Sequence, residues 1–261
     1  MKAVLFCFAL FAVAVLSQVS PRYPPPTLVG GYTLDGKIAL EYHYFNDAAG
    51  GHFPSVYTAG MIDAFIGKIR VGGVHHYPWT DPLVSDAMNK YVHGRDVLVV
   101  GSVSPWYEAM AISYGAKSCT VVEYRKIASQ DSRLESIHID DFAKAVEAGR
   151  KWDVIVSISS IEHDGLGRYG DPLNPQADLQ HMEKAKTWLR EGGIALVAVP
   201  VGIDKVVFNA HRIYGAIRLP LLFKGWNVVD SFGVSTSFDD ALLKLNAGWV
   251  HQPVYVLQPQ A

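Results

Sequence analysis

Five side chains capable of acid–base, charge-pairing or stacking chemistry fall close together in one stretch: Glu162, His163, Arg168, Tyr169 and Asp171. Histidine titrates near neutral pH, so His163 beside Glu162 suits a general base or a group that orients a substrate hydroxyl. The same pair equally suits a structural anchor that ties its loop down. Arg168 offers a planar charged fork and Tyr169 a stacking face, which together fit a sugar or an acidic substrate. Asp171 adds a carboxylate that can serve either a ligand or the donors of its own loop. A second polar group, Asn209, His211, Arg212 and Tyr214, follows further along the chain.

Both groups need a scaffold. The first lies in the glycine-punctuated segment Ser159 to Pro172, directly after the apolar run Asp153 to Ile158. In an open α/β sheet, ligands bind beyond the carboxyl ends of the strands, where such a loop would sit. Gly165, Gly167 and Gly170 spell G-x-G-x-x-G, but Asp171-Pro172-Leu173-Asn174-Pro175 follows, and its prolines hold the chain extended where a dinucleotide fingerprint needs a helix. The glycines therefore read as a tight loop.

Further apolar runs at Val97–Val100, Thr120–Glu123, Ile137–Ile139, Val154–Ile158, Ile194–Val199, Val228–Phe232 and Val254–Leu257 alternate with helical stretches. That alternation predicts a doubly wound, mostly parallel Rossmann-like sheet of about seven strands, with helices on both faces. Before it, Val56 to Arg70 and Leu83 to Tyr91 read as helices, the second started by Thr80 or Asp81 and Pro82. Pro21 to Pro26 reads as an extended arm, and Lys205 to Ile217 as a helix carrying the second polar group toward the first. The expected divisions are a leader over 1–17, an arm and short helical extension over 18–95, and an α/β domain over 96–261.

One pairing within this frame has nucleoside-binding geometry. The first strand ends at Gly101 and passes through Ser102 and Ser104 into Pro105, which suits a helix start. About 20 residues on, the second strand ends in Glu123, a carboxylate placed to accept hydrogen bonds from ribose hydroxyls. Asp140, after the third strand, is either an adenine-facing acid or a helix cap.

Composition narrows the classes. The chain has 261 residues, 49% hydrophobic and 18% charged, with formal net charge −2. No Lys/Arg-rich run supplies the phosphate contacts that nucleic-acid binding depends on. Lys2, the apolar run Ala3 to Leu16 and the small or polar residues at Ser17 and Gln18 read as a secretory leader, with a retained anchor as the alternative. The expected address is secreted or in the lumen of the secretory pathway, with no stable membrane anchor after cleavage. Cys7 would leave with the leader, so Cys119 reads as a single buried thiol. There is no N-x-S/T sequon. The ten histidines show neither H-x-x-x-H nor H-E-x-x-H spacing, so no metal is expected, the one alternative being a site assembled from His163, Asp171 and His211. No G-x-S-x-G elbow is present for a serine hydrolase.

The residues Val99-Val100-Gly101-Ser102, Pro105-Trp106 and Glu108, then Ser159 to His163, Gly165 to Pro172, Pro200-Val201-Gly202 and Asn209 to Gly215, carry a family resemblance. The stretch Val97 to Phe232 resembles the domain of unknown function 268, which is similar to class I S-adenosylmethionine-dependent methyltransferases. The resemblance implies that fold and S-adenosylmethionine as cofactor, with Gly101 and Ser102 at its amino-acid end, Glu123 at its ribose and Asp140 near its adenine. It implies methyl transfer to a hydroxyl or carboxyl group, such as that of a sugar, and His163 with Glu162 are the catalytic candidates by their own chemistry. Arg168, Tyr169, Asp171, His211 and Arg212 would hold the small-molecule or glycan acceptor. The alternative is a secreted binding protein without activity on the same scaffold. It is favoured by a first loop that keeps a single glycine and sets bulky Trp106 and Tyr107 beside it.

Overall fold

The computed structural model describes residues 21–45, 47, 53–234 and 250–260. The leader expected over residues 1–17 lies outside the described residues. Before the main sheet come helix α1 (Pro26–Thr33), strands β1 (Ala39–His43) and β2 (Val56–Tyr57), and helices α2 (Ala59–Arg70) and α3 (Asp81–Tyr91). The alternating part follows as β3 (Asp96–Val100), α4 (Trp106–Ser113), β4 (Ser118–Glu123), β5 (Ala128–Ser129), β6 (Leu134–His138), α5 (Ile139–Glu147), β7 (Trp152–Ile158), α6 (Ala177–Trp188) and β8 (Leu189–Ala198). The chain continues through β9 (Lys205–Asn209), β10 (His211–Ile213), α7 (Arg218–Leu222), β11 (Trp226–Phe232) and β12 (Val254–Pro259).

Seven strands form the central sheet in the order β11-β12-β8-β7-β3-β4-β6. Pairing is parallel from β8 to β6, while β12 runs antiparallel between β8 and β11. The chain builds outward from β3 to β6, then returns to the other side of β3 at β7. That reversal opens a crevice at the carboxyl ends of β3 and β7, the place where open α/β sheets take ligands.

Alternation along the strands divides the core into two layers. Val97, Val99, Val121, Val154 and Val156 face α2, α3 and α4, and Ile62, Ile66 and Ile69 of α2 line the same layer. Leu98, Val100, Ile155, Ala195 and Val197 point the other way, onto Phe142 of α5, Met182 and Ala185 of α6, and Leu219 and Leu222 of α7. Strands covered on both faces read as near-continuous apolar runs, which is why these were visible in the sequence. Cys119 is buried on β4, and burial pushes its thiol up.

Three expectations change. Lys205 to Ile217 is not a helix but contains the hairpin β9–β10, because Val206 and Phe208 alternate into a small core with Tyr32, Ile38 and Leu166. The arm does not stay extended past Pro25: Pro26 occupies the first turn of α1, where a missing N–H costs nothing. Strand β1 then pairs in parallel with β9, and the two join β10 in a three-stranded sheet. The residues ahead of 96 are thus woven into the far part of the chain. Residues Val56 and Tyr57, expected in a helix, form β2 and pair with β5, and Thr58 caps α2 by accepting the Met61 N–H at 3.2 Å.

Candidate active site

The loop after β7 begins in strain. Ser159 has φ of 50°, a left-handed conformation that costs a non-glycine residue about 1 kcal/mol or more. Its hydroxyl donates to Glu162 Oε1 at 2.6 Å and accepts from the Gln252 amide at 3.2 Å. Glu162 and His163 lie in the 3-10 turn Ile161–His163 that follows. Glu162 is fully buried, its Oε2 has no hydrogen-bond partner, and burial pushes its carboxyl up to about 7. His163 Nε2 stands 3.6 Å from Glu162 Oε1, while Nδ1 lies 2.6 Å from the Ala210 carbonyl oxygen. That contact puts the ring proton on Nδ1 and leaves Nε2 as the acceptor. Burial, and then the charge of Arg168, lower His163 to about 3, so it is neutral at physiological pH.

The rest of the loop is braced from outside. Arg168 donates from Nε to Asp47 at 2.6 Å and lies over the rings of Phe45 at 4.3 Å and Tyr169 at 5.0 Å. Tyr169 meets His163 edge-on at 5.5 Å. Asp171 accepts the backbone N–H groups of Gly167 at 3.1 Å and Tyr169 at 3.3 Å, so it shapes the loop. Gly165 has φ of 74°, and a β-carbon there would strike the Asn174 carbonyl, so a glycine is required.

The two polar groups do converge, through the hairpin. Arg212 of β10 is wholly buried and donates to the carbonyls of Glu162 at 3.2 Å and Asp164 at 2.6 Å. It therefore holds the loop from beneath and does not open onto a ligand. Asp178 binds Arg218 through both carboxylate oxygens, at 2.7 and 2.9 Å, accepts the Tyr214 hydroxyl at 3.0 Å and lies 3.6 Å from Arg212 Nε. Asn209 bonds the backbone of Phe45 in both directions at 2.9 Å. His211 is partly buried, with its imidazole lowered to about 4 by burial and by Arg168.

Across the crevice, Glu123 ends β4 half-buried, and its two carboxylate oxygens accept the Ser102 and Tyr124 backbone N–H groups, each at 2.8 Å. The Glu123 carboxylate thus touches the loop after β3. Ser102 is held on its other side by Tyr57, whose hydroxyl is 3.1 Å from the serine Oγ, and by Arg125, which donates to the Ser102 carbonyl at 3.0 Å. Gly101 has φ of 75°, and the space a side chain would take there is filled by the Ser160 hydroxymethyl group. Asp140 is exposed at the start of α5 and lies 3.3 Å from His138 Nδ1. Its neighbour His138, not Asp140, caps the helix.

Tyr77 joins the two halves. It lies near Glu162, Arg168 and Asp81 with its hydroxyl against Ser159, and burial pushes that hydroxyl up. The segment before it is fixed by Asp81, which accepts the His75 and His76 backbone N–H groups at 2.7 and 3.0 Å and the Tyr107 hydroxyl at 2.9 Å. His76 Nε2 is 3.0 Å from Ser104 Oγ. Tyr57, Tyr77, Asp47 and Arg125 were not among the expected site residues, because each reaches the site only through tertiary pairing. Two surface clefts of about 350 and 330 Å3, lined by Asp96, Arg150 and Arg190 and by Arg95, Asp153 and Glu191, open at the opposite ends of the strands.

The parallel sheet with an antiparallel seventh strand between the fifth and sixth, and an acid at the end of the second strand beside the first loop, defines a class I methyltransferase-like α/β protein. Residues 94–252 match the family described as Caenorhabditis protein of unknown function, DUF268, and the chain belongs to that family. No curated protein matches the chain by sequence. Solved structures it is similar to include the Burkholderia thailandensis 1,6-didemethyltoxoflavin-N1-methyltransferase with bound S-adenosylhomocysteine, at 16% identity over 78% of this chain and 88% of that one, TM-score 0.48. Ribosomal protein L11 methylase from Lactobacillus delbrueckii subsp. bulgaricus is similar at 14% identity over 72% and 81%, TM-score 0.40. A Streptococcus mutans protein assigned as an S-adenosylmethionine-dependent methyltransferase is similar at 13% identity over 68% of this chain, TM-score 0.45. This chain spans about half, 48%, of that protein's length.

Proposed function

We propose that this chain is a secreted S-adenosylmethionine-dependent methyltransferase acting on a hydroxyl or carboxyl group of a small molecule or glycan. The observation that carries the reading is Glu123, which stands at the end of the second strand, in contact with the Ser102 amide, where a nucleoside's hydroxyls would meet it. The cofactor, when bound, supplies a methyl group made electrophilic by its sulfonium. Glu123 would accept the ribose hydroxyls, the Gly101–Ser102 turn would face the amino-acid end, and Asp140 would edge the adenine. A hydroxyl acceptor must lose its proton as the new bond forms. Glu162, held near neutral and without a partner at Oε2, is better matched to take that proton at pH 7 than His163, whose imidazole is too weakly basic. His163, fixed by Ala210, would orient the acceptor, and Tyr169 with His211 would flank it.

Calorimetric titration with S-adenosylhomocysteine tests the cofactor, and methyl transfer from labelled S-adenosylmethionine to neutral glycosides and to carboxylates tests the chemistry. Absence of binding would discard the reading. The second reading, a binding protein without turnover, draws support from Ser160 against Gly101, which narrows the room beside the loop. Cofactor binding with no transfer to any acceptor would favour it. The secreted address rests on the leader-like residues Lys2 to Leu16. Mass spectrometry of the protein recovered from a eukaryotic host's medium should find the chain starting close to Ser17, and an intact N-terminus in a membrane fraction would replace it with an anchored one.

A further inference from the structure

Every polar atom of Ser102 is engaged. Its N–H donates to Glu123 Oε2 at 2.8 Å, its hydroxyl donates to the Ser104 carbonyl at 3.0 Å, and its carbonyl accepts Arg125 at 3.0 Å and the Tyr57 hydroxyl at 3.2 Å. Gly101 is the single glycine between β3 and α4, so the loop takes its shape from these side-chain bonds more than from backbone freedom. Ser102 is clamped, with Glu123 on one side and Tyr57 and Arg125 on the other.

Tyr57 reaches the loop from outside the main sheet, on β2, 45 positions before Ser102. Its backbone is tied to β5: the Ala128 N–H donates to the Ser55 carbonyl and the Gln130 N–H to the Tyr57 carbonyl, each at 2.8 Å. Its ring is wholly buried in the layer that holds Ile62, Val99 and Trp106. Backbone and ring are both fixed, and the hydroxyl is fixed with them. A phenylalanine would fill the same space, so the hydroxyl answers to something other than packing. Burial pushes it up, which keeps it protonated and a donor at physiological pH. Arg125 adds a second donor to the same carbonyl and is itself turned onto the Pro54 carbonyl at 2.7 Å, two segments that the β2–β5 pairing brings together.

We infer that Tyr57 is a positioning residue for the proposed cofactor site, holding the Glu123 carboxylate in its binding orientation through Ser102. The inference rests on the cofactor reading above. Tyr57 touches no ligand. It keeps Ser102 where its N–H fixes Glu123 Oε2, and the carboxylate's remaining lone pairs are then set in one direction for ribose hydroxyls. The segment ahead of the main sheet is on this account a working part of the site.

Tyr57→Phe keeps the ring and removes the hydroxyl. Calorimetric titration of the full chain with S-adenosylhomocysteine should give about 3- to 10-fold weaker binding than wild type, the change that one hydrogen bond supports. In a Glu123→Ala background the same substitution should change affinity by less than about twofold, because the group it positions is gone. In the free protein, amide exchange followed by NMR should quicken about 3- to 10-fold at Ser102 while Val97 to Val99 of β3 exchange as in wild type. A merely structural loss would quicken all of them. Should Tyr57→Phe not fold, Arg125→Gln, at a half-buried site, withdraws the other donor from the Ser102 carbonyl and must show the same selective exchange. Unchanged affinity, an equal loss with and without Glu123, or exchange at Ser102 that does not quicken selectively would overturn the assignment. Wild type that binds no S-adenosylhomocysteine fails the cofactor reading itself, and the Ser102 exchange rate then decides alone whether Tyr57 holds the loop.

Discussion

His163 Nδ1 lies 2.6 Å from the carbonyl oxygen of Ala210, a residue in the turn of a hairpin 47 positions away. The bond fixes the imidazole ring and its tautomer, and it fastens the loop after β7 to the hairpin. His163→Ala should therefore cost about 1–3 kcal/mol of stability, since it leaves the Ala210 carbonyl with only the longer bond from Arg168 at 3.4 Å and a gap against Tyr169. Denaturant titration checks this, and a variant as stable as wild type would show the contact to be incidental.

The pH dependence of stability should be set by groups of opposite sense. Between about 4.5 and about 7 the folded chain keeps a proton on Glu162 that the unfolded chain has lost, so stability falls as pH rises through that window. His163 acts the other way: the unfolded chain protonates near 6.5 and the folded one near 3, so stability falls as pH drops below 6.5. Glu162→Gln removes its share of the first effect, while Glu108, also pushed up to about 7 by burial, keeps its own in both proteins. Its stability gain over wild type should be small at pH 4.5 and on the order of 1–3 kcal/mol at pH 8, measured by denaturation at both.

Asp178 stands between two buried guanidinium groups. Asp178→Asn should destabilise the fold by about 3–5 kcal/mol, because Arg218 and Arg212 would keep their charges in the interior without a carboxylate. The expected readout is a large fall in thermal midpoint. A small change would mean that the Glu162, Asp164 and Pro175 carbonyls suffice to hold both arginines.

Glu123→Ala should weaken S-adenosylhomocysteine binding by about 1.5–3 kcal/mol while the protein still folds. Since two backbone N–H groups also lose their acceptor, a modest fall in thermal midpoint should accompany it. Saturable binding indifferent to the substitution would move the ligand elsewhere.

What the sequence disclosed follows from which interactions are local. The runs that became β3, β4, β7 and β8 are apolar on both faces, and a covered parallel strand accounts for short runs of that kind between helical segments. Glu123 was legible because its distance from Gly101 is a property of one strand–helix–strand unit. Lys205 to Ile217 misled because its apolar residues fit a helix as well as a strand over so short a window, and only the partner β1 decides between them. Strand β1 itself, with a largely exposed face, carries no apolar run to announce it. The bracing of Arg168 by Asp47, of Ser102 by Tyr57 and of Arg212 by loop carbonyls joins residues far apart in the chain, and no spacing rule reaches them.

The parallel pairing of β1 with β9 also sets an order in time. Ala39 to His43 is among the first described segments to be synthesised, yet its partner, Lys205 to Asn209, is made only after β8. Until then the ribosome carries a nascent chain whose leading strand has no mate, and the hairpin that fastens His163 does not exist either. The five parallel strands can assemble while the chain is still growing. The crevice they border is completed only when a late segment, β9, joins one of the earliest, β1.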